Sequence, residues 1–268
     1  MGPILAVTGK GGVGKTTIAA LMVQWLLARG ETPVLAVDAD SNANLHELLG
    51  ISYQATVGGI RESARQEAQR LFGIAKQEFL NLRVHEALVE QRGYDLIVMG
   101  RPEGQGCYCF ANNVLRDVIQ RLAANYKHVV VDSEAGLEHV SRRTLFSLDF
   151  LCIVSDCSVR GVRTARRIGE LVAEMATPVK HRGLIVNRVP EGQLPPPIAQ
   201  EVQATGLKLW TVMPEDPQVA AMDAGGRTVS DIPGDSPARA AVNCLMEELF
   251  AGDPARGARL LAQAQPHR

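Results

Sequence analysis

The stretch Gly9-Lys10-Gly11-Gly12-Val13-Gly14-Lys15-Thr16-Thr17 decides the fold. It follows an apolar run, Ile4–Val7, with the makeup of a buried strand, and it leads into a helical pattern from Thr17 to Leu27. A strand, a glycine-rich loop and a helix in that order are the context that a G-x-x-x-x-G-K-[ST] match requires. Glycines at 9, 11, 12 and 14 let the backbone turn tightly, so that successive N–H groups face an anion. The helix behind them adds the positive end of its dipole. Lys15 is placed to reach the β- and γ-phosphates of ATP, and Thr16 to ligate Mg²⁺. Residues Gly11, Gly12, Val13, Gly14, Lys15, Thr16 and Thr17 are therefore candidate nucleotide contacts. A second lysine, Lys10, departs from the plain pattern.

Outward from this loop the chain reads as a doubly wound α/β protein. Short apolar runs recur at Val34–Val37, Leu96–Met99, His128–Val131, Phe150–Val154, Leu184–Val186 and Leu209–Val212. Helical stretches lie between them, among them Val114–Ala123, Val162–Met175 and Pro197–Thr205. Continuous apolar strands alternating with helices imply a mostly parallel sheet covered on both faces, with ligands at the C-terminal strand ends. Glu62–Glu90 is charge-rich with helical spacing and is expected to form mobile helices on the rim. Residues 1–250 are expected to make one ATPase domain, and 251–268 a flexible tail.

With 46% apolar and 21% charged residues and a net charge of −1, the chain has no electrostatic bias toward nucleic acid or an anionic membrane. No apolar run approaches the roughly 20 residues of a membrane span. A strand directly at the start leaves no room for a signal peptide, so a cytoplasmic location is expected. In that compartment the five cysteines are not expected to form disulfides. Cys152, within an apolar run, and Cys244, in a C-terminal helix, are expected to pack. Cys107 and Cys109 are the clustered pair.

Further carboxylates follow strand candidates. Asp38 and Asp40, two residues apart after Val34–Val37, can address a Mg²⁺ shell and the water near a γ-phosphate. Asp132 ends His128–Val131 and is expected to hold Mg²⁺ through a water. Gly136, in the next turn, has an N–H that can sense the γ-phosphate. Asn187 in Ile185-Val186-Asn187-Arg188 carries the donor and acceptor needed to pair with the adenine edge. Met213-Pro214-Glu215-Asp216, after the last strand, is expected to close over the base, with Pro214 and Glu215 contributing backbone groups.

Together these parts resemble the deviant-Walker P-loop ATPases related to the cell-division ATPase MinD, the chromosome-partitioning ATPases and the nitrogenase iron protein. The resemblance implies a homodimer that sandwiches two ATP molecules. Lys10 would cross the interface to the partner's nucleotide, as an arginine finger does in trans. Asp40 would orient the attacking water, with Asp38 near the metal shell.

In such a dimer the Cys107-Tyr108-Cys109 loop acquires a use. Two thiolates do not close a four-coordinate site, but an isologous interface brings the same loop from each subunit to the two-fold axis. Four thiolates can bind Ni²⁺ or Zn²⁺. The run Gly-Gln-Gly-Cys-Tyr-Cys (104–109), with Glu-Ala-Gly-Leu-Glu-His (134–139), is similar to the CooC-type accessory ATPases. That similarity implies nickel insertion into carbon monoxide dehydrogenase or its acetyl-CoA synthase relatives. Ser41 and Cys157 depart from it, each standing where proline is common. An alternative assignment is an ATPase holding an intersubunit iron–sulfur cluster, since clusters also take four cysteines.

Overall fold

The computed structural model describes residues 2–59, 86–101, 119–134, 148–174 and 179–251. Among them lie strands β1 (Ile4–Gly9), β2 (Val34–Ala39), β3 (Leu88–Gln91), β4 (Tyr94–Val98), β5 (His128–Ser133), β6 (Leu148–Asp156), β7 (Val179–Val189) and β8 (Lys208–Pro214). The principal helices are α1 (Lys15–Ala28), α2 (Leu45–Leu49), α3 (Val159–Glu174), α4 (Pro196–Ala204), α5 (Pro217–Ala224) and α6 (Pro237–Ala251). The strands form one sheet in the order β3-β4-β2-β5-β1-β6-β7-β8. Every pairing is parallel except β3–β4. This is the doubly wound sheet expected, with β1 between the branch that runs out through β5 and the branch that runs out through β6.

The two faces are covered because successive side chains alternate between them. Ile4, Ala6, Leu35, Val37, Val129 and Val131 join one buried cluster, completed by Val162, Ala165 and Ile168 of α3 and by Ile198 and Val202 of α4. Leu5, Val7, Val34, Ala36 and Val130 join the other, with α1 and α6. α1 is apolar around most of its circumference, since it packs between the sheet and α6. Trp25 stacks on Phe250 with ring centroids 5.6 Å apart, and Arg29 ion-pairs with Glu247. None of the described helices is long and apolar enough to cross a membrane.

Three expectations change. Leu88–Gln91, read as the end of a helical stretch, is the antiparallel edge strand β3, half-buried at its start and exposed at its end. Residues 60–85 lie outside the described part. Of the helix expected at Val114–Ala123, residues 119–122 are helical and 123–125 form a 3₁₀ turn, while 114–118 lie outside. Cys244 is exposed on α6 instead of packed, because the buried stripe runs through Val242, Leu245 and Met246. Cys152 is fully buried, and burial pushes its thiol pKa up to about 12.

At the far edge, β8 carries an extra residue relative to β7. Leu184 pairs with Leu209 and Ile185 with Thr211, which leaves Trp210 as a bulge. Its ring covers Gly183, where an added Cβ would come within 2.2 Å of the indole. Asp216 caps α5 through Gln218 N (2.8 Å) and also accepts from Ser236 Oγ (2.6 Å) and Ala238 N (3.0 Å) at the start of α6. Burial works against its charge, but these bonds hold its pKa below the usual carboxylate value. Asp216→Ala is expected to lower stability by about 3 kcal/mol, since three donors lose an acceptor. Urea unfolding of variant and wild type measures it. The difference should be full at neutral pH and shrink as pH falls through the depressed pKa, where the wild-type carboxylate protonates.

Candidate functional site

β1 ends at Gly9, and the loop it enters is locked in place from the other strands. An added Cβ on Gly9 would sit 2.2 Å from the Val154 carbonyl oxygen of β6. Gly14, at φ +91°, is the N-cap of α1, and a Cβ there would meet Asn187 Nδ2 at 2.4 Å. With glycine in the capping position, no side chain caps the first turn of α1, so its N–H groups stay directed at an anion. From β7, Asn187 Nδ2 donates to the Val13 carbonyl (2.8 Å) and Arg188 Nη1 to the Gly12 carbonyl (3.0 Å). Asn187 Oδ1 accepts from Arg188 N (2.8 Å), which leaves one amide hydrogen and one lone pair for a ligand.

Asn187 and Arg188 line a cavity of about 410 Å³ with Gly14, Thr17, Pro214 and Glu215. The sequence-predicted base contacts are thus gathered beside the phosphate loop. The Glu215 N–H is committed to the Val189 carbonyl (3.0 Å). Asp216, read as part of the base-closing segment, serves the α5–α6 corner through its side chain.

Below the loop, charges converge. Lys15 is 7% exposed, and its Nζ donates to the Lys10 carbonyl (3.1 Å). Burial lowers its pKa, opposed by the carboxylates of Asp132, Asp40 and Glu134. Asp132 and Asp38 are register neighbours on β5 and β2. Asp38 is fully buried, and its carboxylate accepts from Asp40 N (3.1 Å) and Leu45 N (2.9 Å). Burial raises its pKa to about 6, despite those two bonds. Asp132, 1% exposed, is hydrogen-bonded to Thr16, yet its Oδ1 has no partner. Burial, reinforced by Asp38 and Asp40, raises its pKa to about 7.

A buried carboxylate oxygen without a donor, beside a threonine hydroxyl and a helix N-terminus, fits a hard divalent cation with a phosphate. Thr16 would ligate Mg²⁺ directly and Asp132 through a water. Bound there, Mg²⁺ would neutralise phosphate charge as the γ-phosphoryl group leaves. Lys10 is exposed, and among the described residues its ammonium makes no ion pair. Likewise among the described residues, no group of three or more His, Cys, Asp or Glu side chains is arranged to hold a metal. Cys107, Cys109 and Gly136 lie outside them. Cys157, half-buried after β6, packs against the core.

The raised carboxylates make a prediction for the metal-free protein. Between about pH 4 and 7 folded Asp132 keeps a proton that the unfolded chain has released, so stability falls as pH rises through that window. In EDTA, Asp132→Asn should raise the melting temperature by about 5 °C at pH 8 and by much less at pH 4.5. Thermal melts of both proteins across this range provide the check. The same variant should lose the extra stabilisation that Mg²⁺ adds to ATP.

Comparison with known proteins agrees with this geometry. Residues 4–229 match the family described as the CobQ/CobB/MinD/ParA nucleotide binding domain. An uncharacterized ATP-binding protein of Methanocaldococcus jannaschii is 41% identical over 86% of this chain and 91% of its own. The carbon monoxide dehydrogenase accessory protein CooC of Rhodospirillum rubrum is 32% identical over 64% of this chain and 69% of its own. The septum site-determining protein MinD of Pyrococcus horikoshii, complexed with Mg-ADP, shares the fold with a TM-score of 0.69 at 23% identity, covering 93% of this chain and 96% of that one. The chain belongs to the CobQ/CobB/MinD/ParA nucleotide-binding family and is a P-loop ATPase.

Proposed function

We propose that this ATPase works as a homodimer that carries Ni²⁺ between the Cys107-Tyr108-Cys109 loops of its two subunits and assists nickel insertion into a client of the carbon monoxide dehydrogenase or acetyl-CoA synthase class. The similarity to the Rhodospirillum rubrum accessory protein, joined to the Cys-x-Cys pair, is the observation that carries it. The topology supports it as well. The cysteine loop leaves β4, and β4 pairs with β2, whose own end bears Asp38 and Asp40. The chain that leads toward Cys107 and the turn that carries Asp40 therefore leave adjacent strands at one pole of the sheet.

Within each subunit the glycine-loop N–H groups and Lys15 hold the β- and γ-phosphates. Asn187, Arg188, Pro214 and Glu215 bound the base. Asp40 orients the attacking water. Lys10 reaches the partner's nucleotide and stabilises charge on the transferring phosphoryl group, in keeping with its exposure and its lack of an ion pair among the described residues. Hydrolysis alters how the two subunits meet, and with it the spacing of the four thiolates.

Two measurements test this. In an anaerobic metal titration with size-exclusion analysis, one Ni²⁺ should bind per two chains, with dimerisation responsive to ATP. Cys107→Ser and Cys109→Ser should each abolish Ni²⁺ binding while leaving ATP affinity within about twofold, a difference of roughly 0.4 kcal/mol. One metal per monomer regardless of nucleotide would contradict the assignment. Iron and sulfide in the anaerobically purified protein would point to a cluster carrier, and a site saturated by Zn²⁺ alone would make zinc the cargo.

A further inference from the structure

The turn after β2 is fastened to both strands that flank β2. In the sheet β2 lies between β4 and β5. From the end of β5, Glu134 Oε1 accepts a hydrogen bond from the buried Ser41 hydroxyl (3.1 Å). From beyond the end of β4, Arg101 Nη2 donates to the side-chain oxygen of Asn42 (2.8 Å). Ser41 and Asn42 directly follow Asp40, and the turn they form is built around that residue. Asp40 Oδ1 accepts from Asn42 N (2.8 Å), and the Asp40 carbonyl accepts from Ala43 N (3.1 Å). Asp38 ties both sides of the turn, through Asp40 N and Leu45 N. Ala43 closes it at φ +55°. A residue with a Cβ keeps that left-handed conformation where its surroundings over-determine it.

We propose that Arg101 and Glu134 are positioning residues for ATP hydrolysis, acting through Asn42 and Ser41 to hold the turn that aims the Asp40 carboxylate. The inference rests on Asp40 orienting the attacking water, as set out above. A carboxylate doing that work has to be held within about 0.5 Å of its productive position. Asp40 is half-buried in the turn after β2, and the phosphate loop is a separate segment. Loss of the brace should therefore lower kcat and leave nucleotide binding alone. Ser41 also gains a purpose: proline, common at this position in the proteins the sequence resembles, has no hydroxyl to give Glu134.

The test is steady-state ATPase kinetics on the full-length chain with saturating Mg²⁺. Arg101→Ala and Ser41→Ala should each reduce kcat about tenfold, with KM for ATP within about twofold. Asn42→Asp keeps an acceptor for Arg101 and should retain most of kcat, whereas Asn42→Leu should behave like Arg101→Ala. These two variants carry the test from the acceptor side if an arginine variant fails to fold. In an Asp40→Ala background, Arg101→Ala should have no further effect. An equal drop there, an unchanged kcat in the Arg101 and Ser41 single variants, or a rise in KM matching the fall in kcat would overturn the brace. If Asp40→Ala itself keeps wild-type kcat, the role given to Asp40 fails first and the brace falls with it. If Asp40→Ala is inactive while Arg101→Ala and Ser41→Ala keep the wild-type kcat, the brace alone is wrong.

Discussion

The structure depends on how closely other backbone and side-chain atoms approach the phosphate loop. Gly9 abuts the Val154 carbonyl of β6, and Gly14 abuts the side-chain amide of Asn187 from β7. Asn187 and Arg188 then hydrogen-bond the carbonyls of Val13 and Gly12, so those two oxygens are occupied from outside the loop. A loop of this composition would otherwise sample many conformations, and the approach of β6 and β7 removes that freedom. The backbone N–H groups are thereby arranged for an anion before one arrives. The order β5-β1-β6-β7 is what delivers these contacts, and so the sheet topology is part of the binding site.

Below the loop, charge is gathered where burial opposes it. Asp38 and Asp132 stand side by side on β2 and β5, with burial pushing both carboxyls upward. Asp38 is satisfied by two backbone donors, and it shapes the turn that follows. Asp132 retains an oxygen without a donor. The same neighbourhood thus contains one carboxylate with both oxygens engaged by backbone donors and one that keeps an oxygen for a ligand. Spacing alone does not separate them; hydrogen-bond partners do.

Much of this was legible in the sequence, for identifiable reasons. Strands buried on both faces read as unbroken apolar runs, and β1, β2 and β4–β8 announce themselves that way. The phosphate loop is a local pattern of fixed spacing, so Gly9–Thr17 could be placed at once. β3 escaped because Leu88–Gln91 is short and half polar, as suits an edge strand, and it continues a charge-rich stretch. Cys244 was misjudged because its apolar neighbours belong to an adjacent stripe of α6. The contacts of Ser41 with Glu134 and Arg101 with Asn42 join residues far apart in the chain, and no local pattern records them. Asp216 was noticed for its neighbourhood to the base, whereas its partners at Ser236 and Ala238 become adjacent only when α5 and α6 pack.

The bulge at Trp210 has a consequence for how copies of this molecule can meet. An open sheet edge is a template for further strands, and a regular β8 would invite another chain to extend the sheet. With one residue out of step and an indole folded over Gly183, β8 offers an interrupted row of hydrogen-bonding groups. At the opposite margin, the short antiparallel β3 closes off β4. Neither flank is shaped for strand addition. The pole where β1, β2 and β5 end is free of that constraint, and a contact made there can respond to what the phosphate loop holds.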